Sequence, residues 1–164
     1  MQLQNMATPT EADKRFMKIA YEEAKKGYEE GGIPIGAVLV SSTGEILGQG
    51  HNLRIQDSSP VLHAEISALK SAGRLPASRY QNATMYTTLS PCSMCTGAIL
   101  LYKISRVVIG ENRTYVGAED WLGVKGVETV VMDDEECREI LERFIKEKPG
   151  EWGEDIGEER VGGC

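Results

Sequence analysis

The stretch Thr84-Met85-Tyr86-Thr87-Thr88-Leu89-Ser90-Pro91-Cys92-Ser93-Met94-Cys95-Thr96-Gly97-Ala98-Ile99-Leu100-Leu101-Tyr102 carries the reading of the fold. Thr84 to Leu89 is β-branched, aromatic or apolar and predicts a strand; Pro91 interrupts it, and Ser93 to Tyr102 reads as an apolar, buried helix. Upstream, Ala64 to Ala72 is rich in helix formers and closed by Gly73, with His63 at its mouth. Before it, Ile35 to Val40 and Glu45 to Gly50 flank Ser41-Ser42-Thr43-Gly44, whose turn chemistry predicts an antiparallel pair. Thr10 and Asp13, at capping-box spacing, open a helix that carries Phe16, Ile19, Ala20 and Ala24 at helical intervals and stops near Gly31-Gly32. Downstream, Arg106 to Gly110 and Val127 to Met132 read as strands separated by a loop with room for a crossover. A last helix is expected from Asp133, with Glu136 three residues on; Cys137, Ile140, Leu141, Phe144 and Ile145 form its apolar stripe until Pro149 ends it. Five strands alternating with helices predict one α/β layered sandwich over residues 10–160, after a flexible leader at 1–9 and before a disordered terminus at 161–164.

Composition narrows the class. The 164 residues are one domain's length, and 41% hydrophobic with 26% charged side chains excludes a largely disordered chain. No stretch approaches the ~18 consecutive apolar residues of a membrane span, and the first thirty residues lack the apolar run of a signal peptide. A soluble, cytoplasmic protein without membrane partners is therefore expected, with entry into the nucleus by diffusion left open. The formal net charge of -7 is C-terminal: Asp133 to Arg160 holds twelve acidic and five basic residues, whereas the first 132 residues hold thirteen of each. No basic face of the kind that binds nucleic acid is signalled.

The chain has four cysteines (Cys92, Cys95, Cys137, Cys164) and two histidines (His51, His63). His63-Ala64-Glu65 is followed, 26 residues after the glutamate, by Pro91-Cys92-Ser93-Met94-Cys95. Two cysteines spaced i, i+3 on the first turn of a helix point the same way, and the helix N-terminus favours their thiolates. One imidazole completes three protein ligands, the catalytic rather than the structural pattern for zinc, with a fourth position for water. Two thiolates and a neutral imidazole leave the ion without net formal charge, so it acidifies water less than a three-histidine site does, and Glu65 is placed to serve as the base. Taken alone, C-x-x-C also reads as a redox pair, or as half of a four-ligand structural zinc site completed by Cys137, His51 or His63. Cys137 fits the apolar stripe of the last helix better, His51 reads as structural, and Cys164 reads as an exposed free thiol.

The joint pattern matches the H-x-E and P-C-x-x-C signature of the zinc deaminases. From about Phe16 to Glu158 the chain resembles the cytidine and deoxycytidylate deaminase superfamily, and within it the fungal-type cytosine deaminases that act on the free base. The resemblance is carried by Ala20-Tyr21-Glu22-Glu23-Ala24, Gly31-Gly32-Ile33-Pro34-Ile35-Gly36, Gly50-His51-Asn52, Tyr86-Thr87-Thr88-Leu89-Ser90-Pro91-Cys92 and the tail Trp152 to Glu158. The tail discriminates most. Ser90 also stands where tRNA adenosine and guanine deaminases typically carry a glutamate.

The resemblance implies a three-layer α/β/α sandwich with a mixed five-stranded sheet, its last two strands parallel, and a homodimer with one Zn2+ per subunit. It implies that His63, Cys92 and Cys95 bind zinc and that Glu65 shuttles protons in the hydrolysis of free cytosine to uracil and ammonia. Asn52 would bond the pyrimidine's amide edge, Asp155 a ring N–H, and the Ser90 carbonyl the departing amine; Ile33, Tyr115, Trp152 and Ile156 would wall the ring. Read without the resemblance, Asn52 serves equally as a turn residue, Trp152, Ile33 and Ile156 as packing, and Asp155 as one more solvated charge. Ala64 replaces a glycine that fungal enzymes can carry, Tyr115 stands where phenylalanine is expected, and the Val116 to Gly126 loop is one residue shorter. The rival functions are a tRNA adenosine or other nucleobase or nucleoside deaminase, and a catalytically dead zinc-binding oligomerisation module.

Overall fold

A computed structural model describes residues 7–159; most of the expected leader (1–6) and the expected disordered terminus (161–164) lie outside the described residues. Helix α1 (Glu11–Glu29) begins with the expected box: Asp13 N donates to Thr10 Oγ1, and Thr10 N donates to the Asp13 carboxylate. Strands β1 (Gly36–Val40) and β2 (Ile46–His51) pair antiparallel across the Ser41 to Gly44 turn. Helix α2 (Ala64–Ala72) stops at Gly73, whose φ of 75° lies where a side chain is strained. The short α3 (Ala77–Tyr80), β3 (Thr84–Leu89), α4 (Ser93–Leu101), β4 (Arg106–Glu111), α5 (Glu119–Val124), β5 (Glu128–Val131), α6 (Glu135–Glu147) and α7 (Pro149–Asp155) follow.

The sheet runs β2-β1-β3-β4-β5. β1 is antiparallel to both neighbours, while β3, β4 and β5 are parallel, their crossovers formed by α4 and α5. The period-two alternation divides the strand residues between two apolar layers. Val38, Tyr86, Val108 and Val130 pack with Phe16, Met17 and Ala20 of α1. Ala37, Leu39, Met85, Val107 and Ile109 pack with Ala64 and Ala68 of α2, Ile99 of α4 and Leu122 of α5. Cys137 of α6 joins the first layer, and Leu141 and Phe144 join the second. At Gly36 the α1 backbone lies against β1: an added Cβ would come within 2.0 Å of Ala20 O and 2.6 Å of Ala24 N. Arg106 clamps α1 to the far side of the sheet by pairing with both carboxylate oxygens of buried Asp13, which also accepts from Tyr86 Oη. Burial alone would push the Asp13 carboxyl up, but the bonds from Arg106, Thr10 N and Tyr86 hold it well below the usual carboxylate range.

Four expectations about elements need correction. The helix after Pro91 is not buried throughout: α4 ends at Leu101, which is 71% exposed, and its cap Tyr102 is exposed too, because the face that meets the core is that of Cys95, Thr96 and Ile99, with Leu100 at its margin. The last long helix is capped by Asp134, whose side chain accepts from Cys137 N; Asp133 sits before it in the left-handed region at φ 55°. Helix α6 ends at Glu147, before Pro149 as expected, but the segment read as a tail is itself helical: Pro149 starts α7, since a proline at the first helical position forfeits no hydrogen bond. The crossover between β4 and β5 contains α5, which has one buried apolar residue, Leu122, and too few residues to show a period. Among the described residues, no helix is long and apolar enough to cross a membrane.

Candidate metal and catalytic site

The parallel part of the sheet aims the C-terminal end of β3 at the N-terminus of α4, the usual place for an α/β site. Ser90 and Pro91 make the turn, Cys92 becomes the N-cap of α4 and Cys95 its third residue. His63 is the N-cap of α2, so Glu65 is the second residue of that helix. Two helix N-termini thus bring His63, Cys92 and Cys95 together, one ligand atom from each lying within 4.8 Å of the others. The partial positive charge of the α4 terminus stabilises a thiolate there.

The donor set fits a thiophilic cation. His63 Nδ1 is 3.5 Å from Cys92 Sγ, and Cys92 is hydrogen-bonded to both Cys95 and His63. The hydrogen bond from Cys95, working against burial, together with that from His63, brings the Cys92 thiol down to about 4. Burial opposes charge on His63, yet its contacts with Asp155 and Cys92 outweigh it and raise the imidazole to about 10. Cys95 is pushed well above its ordinary value by Cys92 and by burial. Three soft donors held around shared protons form a place where a cation can replace those protons, and two sulfurs with one imidazole suit zinc while leaving a position open.

Glu65 is 4% exposed and accepts a 2.8 Å hydrogen bond from Thr87 Oγ1 on β3. Burial raises its pKa, the His63 charge opposes that, and the Cys92 charge adds to the rise. A buried carboxyl held by a single hydroxyl donor binds a proton more readily than an exposed one, which suits it to taking and returning a proton. Thr87 Oγ1 also lies 3.2 Å from Leu89 O.

The cavity against these groups is lined by Ile35, His63, Ala64, Glu65, Leu89, Ser90, Cys92, Tyr115, Trp152, Asp155 and Ile156. The hollow contains about 310 Å³ of empty space including its mouth, but the centre of a water molecule reaches only about 20 Å³ of it. That is room for about one water, so a ring can enter only if a wall moves. Trp152 and Asp155, both buried, belong to α7, and Ile156 caps that helix. Tyr115 meets the Trp152 ring edge-on, centroids 6.1 Å apart, and is carried on a loop held by fully buried Glu111, which accepts from Arg113 N, Thr114 N and Thr114 Oγ1. Ser90 Oγ accepts from Gly117 N at 2.8 Å, which fixes that loop over Pro91.

Asn52 and Ile33 do not line the cavity. Asn52 is fully buried behind Asp155, its Nδ2 being 3.1 Å from each carboxylate oxygen and its Oδ1 accepting from Arg54 N. Ile33 is fully buried in the core, and Ile35 lines the cavity. Ala37 faces Thr87, so Ile35 falls opposite Leu89, and these two walls come from neighbouring strand ends. Arg54 Nε donates to Asp155 Oδ1 at 2.9 Å, and His63 Nε2 lies 3.2 Å from the same oxygen, a close ionic contact rather than a straight hydrogen bond. These contacts, with Asn52, hold the Asp155 carboxyl below its ordinary value against the effect of burial. Ile35, Leu89, Thr87 and Arg54 are missing from the sequence reading. The register could have pointed to the first two; neither Thr87 nor Arg54 carries a signal in its spacing. His51 is structural as expected, its ring nitrogens each 2.8 Å from a carboxylate oxygen, of Glu23 and of Glu30.

The sequence model described as the cytidine and deoxycytidylate deaminase zinc-binding region matches residues 10–111. A cytosine deaminase of Candida albicans is 58% identical over 146 residues, covering 89% of this chain and 97% of that protein. A tRNA-specific adenosine deaminase of Haemophilus influenzae is 44% identical over 110 residues, 66% of this chain and 64% of its own length. In structure, a tRNA:A34 deaminase superposes with a TM-score of 0.67 at 29% identity, over 78% of this chain and 99% of that one.

Proposed function

The chain belongs to the cytidine and deoxycytidylate deaminase family, and from that membership we propose that it hydrolyses free cytosine to uracil and ammonia. The observation that carries the choice of substrate is the small cavity between the His63, Cys92, Cys95 and Glu65 cluster and α7. A nucleobase has to displace a wall to enter it, and an attached ribose has no place beneath a docked α7. The comparisons agree: the match to a cytosine deaminase runs nearly end to end, whereas that to a tRNA-specific enzyme covers about two-thirds of each chain.

His63, Cys92 and Cys95 would hold zinc, which would supply Lewis-acid activation of water. Glu65 takes a proton from the attacking water and passes it to N3 as the oxygen bonds to C4, then moves the proton of the new C4 hydroxyl to the amino group, so that the C4–N bond breaks, the C4 carbonyl forms and ammonia departs. Thr87 orients the shuttle by holding Oε1 of Glu65. The Ser90 carbonyl accepts from the leaving amine. Asp155 accepts a ring N–H through Oδ2, the oxygen that neither Arg54 nor His63 contacts, and Asn52 holds that carboxylate from behind through its Nδ2. The indole N–H of Trp152 is buried without a partner among the described residues and would be satisfied by a polar atom of the base. Tyr115, Trp152 and Ile156 enclose the ring, with Ile35 and Leu89 opposite.

Ammonia release from cytosine, cytidine and deoxycytidylate tests the substrate. Cytosine should exceed the other two in kcat/KM by about 10²-fold or more; a preference for either ribosylated substrate would overturn the reading.

A homodimer belongs to the same reading. Leu101 and Tyr102 at the end of α4, with Trp121 and Val124 on α5, expose apolar surface of the kind a partner covers. Sedimentation equilibrium should give twice the 18.0 kDa of the chain, and the single-chain mass at micromolar concentration would contradict it. The cytoplasmic assignment is checked by cell fractionation.

A further inference from the structure

We infer that Asp155 is the positioning residue for the His63 ligand, so that docking of the C-terminal helix and retention of the metal are a single equilibrium. The inference rests on the reading of His63, Cys92 and Cys95 as metal ligands. The two ring nitrogens of His63 face different partners, Nδ1 at 3.5 Å from Cys92 Sγ and Nε2 at 3.2 Å from Asp155 Oδ1. A neutral imidazole has one N–H and one lone pair, and a ligand must turn the lone pair to the metal. An ionised carboxylate can only accept. Asp155 therefore keeps the proton on Nε2 and leaves the Nδ1 lone pair toward the cysteines.

The acceptor is itself held in place. Asp155 is 6% exposed, and its carboxylate is gripped by Arg54 Nε at 2.9 Å and by Asn52 Nδ2 at 3.1 Å to each oxygen. Arg54 and Asn52 follow β2, whereas Asp155 is the last residue of α7, so this carboxylate is the clamp between tail and body. The other contacts that dock α7 are apolar or peripheral: the buried Trp152 ring with Tyr115 against its edge, Ile156 packed on the core, and Lys148 Nζ donating to Gly31 O at 2.9 Å. Any movement of α7 that widens the cavity for a ring carries Asp155 away from Nε2. His63 then loses the partner that fixes its tautomer, and the metal site loosens while the pocket is open. Arg54 acts through Asp155, by holding the carboxylate where His63 meets it.

Zinc affinity and release rate, read by competition between the holoenzyme and a chromophoric chelator with no substrate present, test the coupling. Asp155→Ala should weaken zinc binding by about 10 to 100-fold, the usual consequence of losing an outer partner of a histidine ligand. Arg54→Ala should weaken it less, Arg54→Lys should recover part of that loss, and Glu154→Gln, exposed on the same helix, should match the wild type. Wild-type zinc retention in Asp155→Ala and Arg54→Ala, with a rise confined to the KM for cytosine, would overturn the inference and leave Asp155 a reader of substrate alone. Should Asp155→Ala fail to fold, Arg54→Lys against Arg54→Ala decides the matter in the same assay. The zinc readings need no substrate, so their failure is distinct from a failure of the cytosine reading, which ammonia release by the wild type judges.

Discussion

Replacing Glu65 with glutamine is expected to leave the fold and the bound zinc intact while lowering kcat for cytosine by about 10² to 10⁴-fold, the range that general acid–base groups supply. The carboxylate is 4% exposed, and Thr87 donates to its Oε1 at 2.8 Å. A glutamine keeps the shape and an oxygen to accept that bond, but it cannot carry a proton from water to the ring. The loss should therefore fall on kcat with little change in KM, the pattern for a group that acts in the transition state. Ammonia release alongside atomic absorption separates the cases. Turnover within tenfold of wild type at full zinc content would remove Glu65 from the role of shuttle; loss of zinc together with turnover would make it a metal-site residue instead.

Removing a sulfur ligand should act on the metal first. Cys95→Ala takes one of three donors from a cluster whose ligand atoms lie within 4.8 Å of one another, and the methyl group left behind cannot replace it. Zinc content should drop from about one ion per chain to well below that, with turnover falling to background. Cys92→Ala and His63→Ala should do the same. Stability should fall as well, because an ion that binds the folded chain adds to folding free energy. Cys137 provides the control: it is buried in the apolar layer with α1, away from the ligand cluster, and Cys137→Ala should keep its zinc. A Cys95→Ala protein that binds zinc stoichiometrically would show that the site is built from other residues.

Much of the framework was legible because it is written in short-range spacing. The capping box at Thr10 and Asp13, the α2 helix ending at Gly73 and the β3 to α4 passage all lie within one or two turns of the residues that specify them. The less legible elements are those with little local pattern. Helix α7, Pro149–Asp155, contains two glycines and one large apolar side chain, and its helicity depends on Trp152 being buried against the body. That Ile35 falls opposite Leu89 at the mouth of the cavity follows from strand pairing, which a continuous apolar run does not mark.

The local pattern along the chain was enough to pick out His63 with Glu65 two positions on, and Cys92 with Cys95 three positions on, because each pair stands at a helix start. It also determined the layered sheet, through the alternation of apolar segments. Only the folded chain shows which groups Asp155 meets. Its charge stands in an acidic stretch that local pattern cannot tell from a solvated one, and it meets Arg54 and Asn52 across 101 and 103 residues of chain. That meeting depends on where Trp152 docks the tail, and docking is set by shape and burial over the whole body rather than by spacing along the chain.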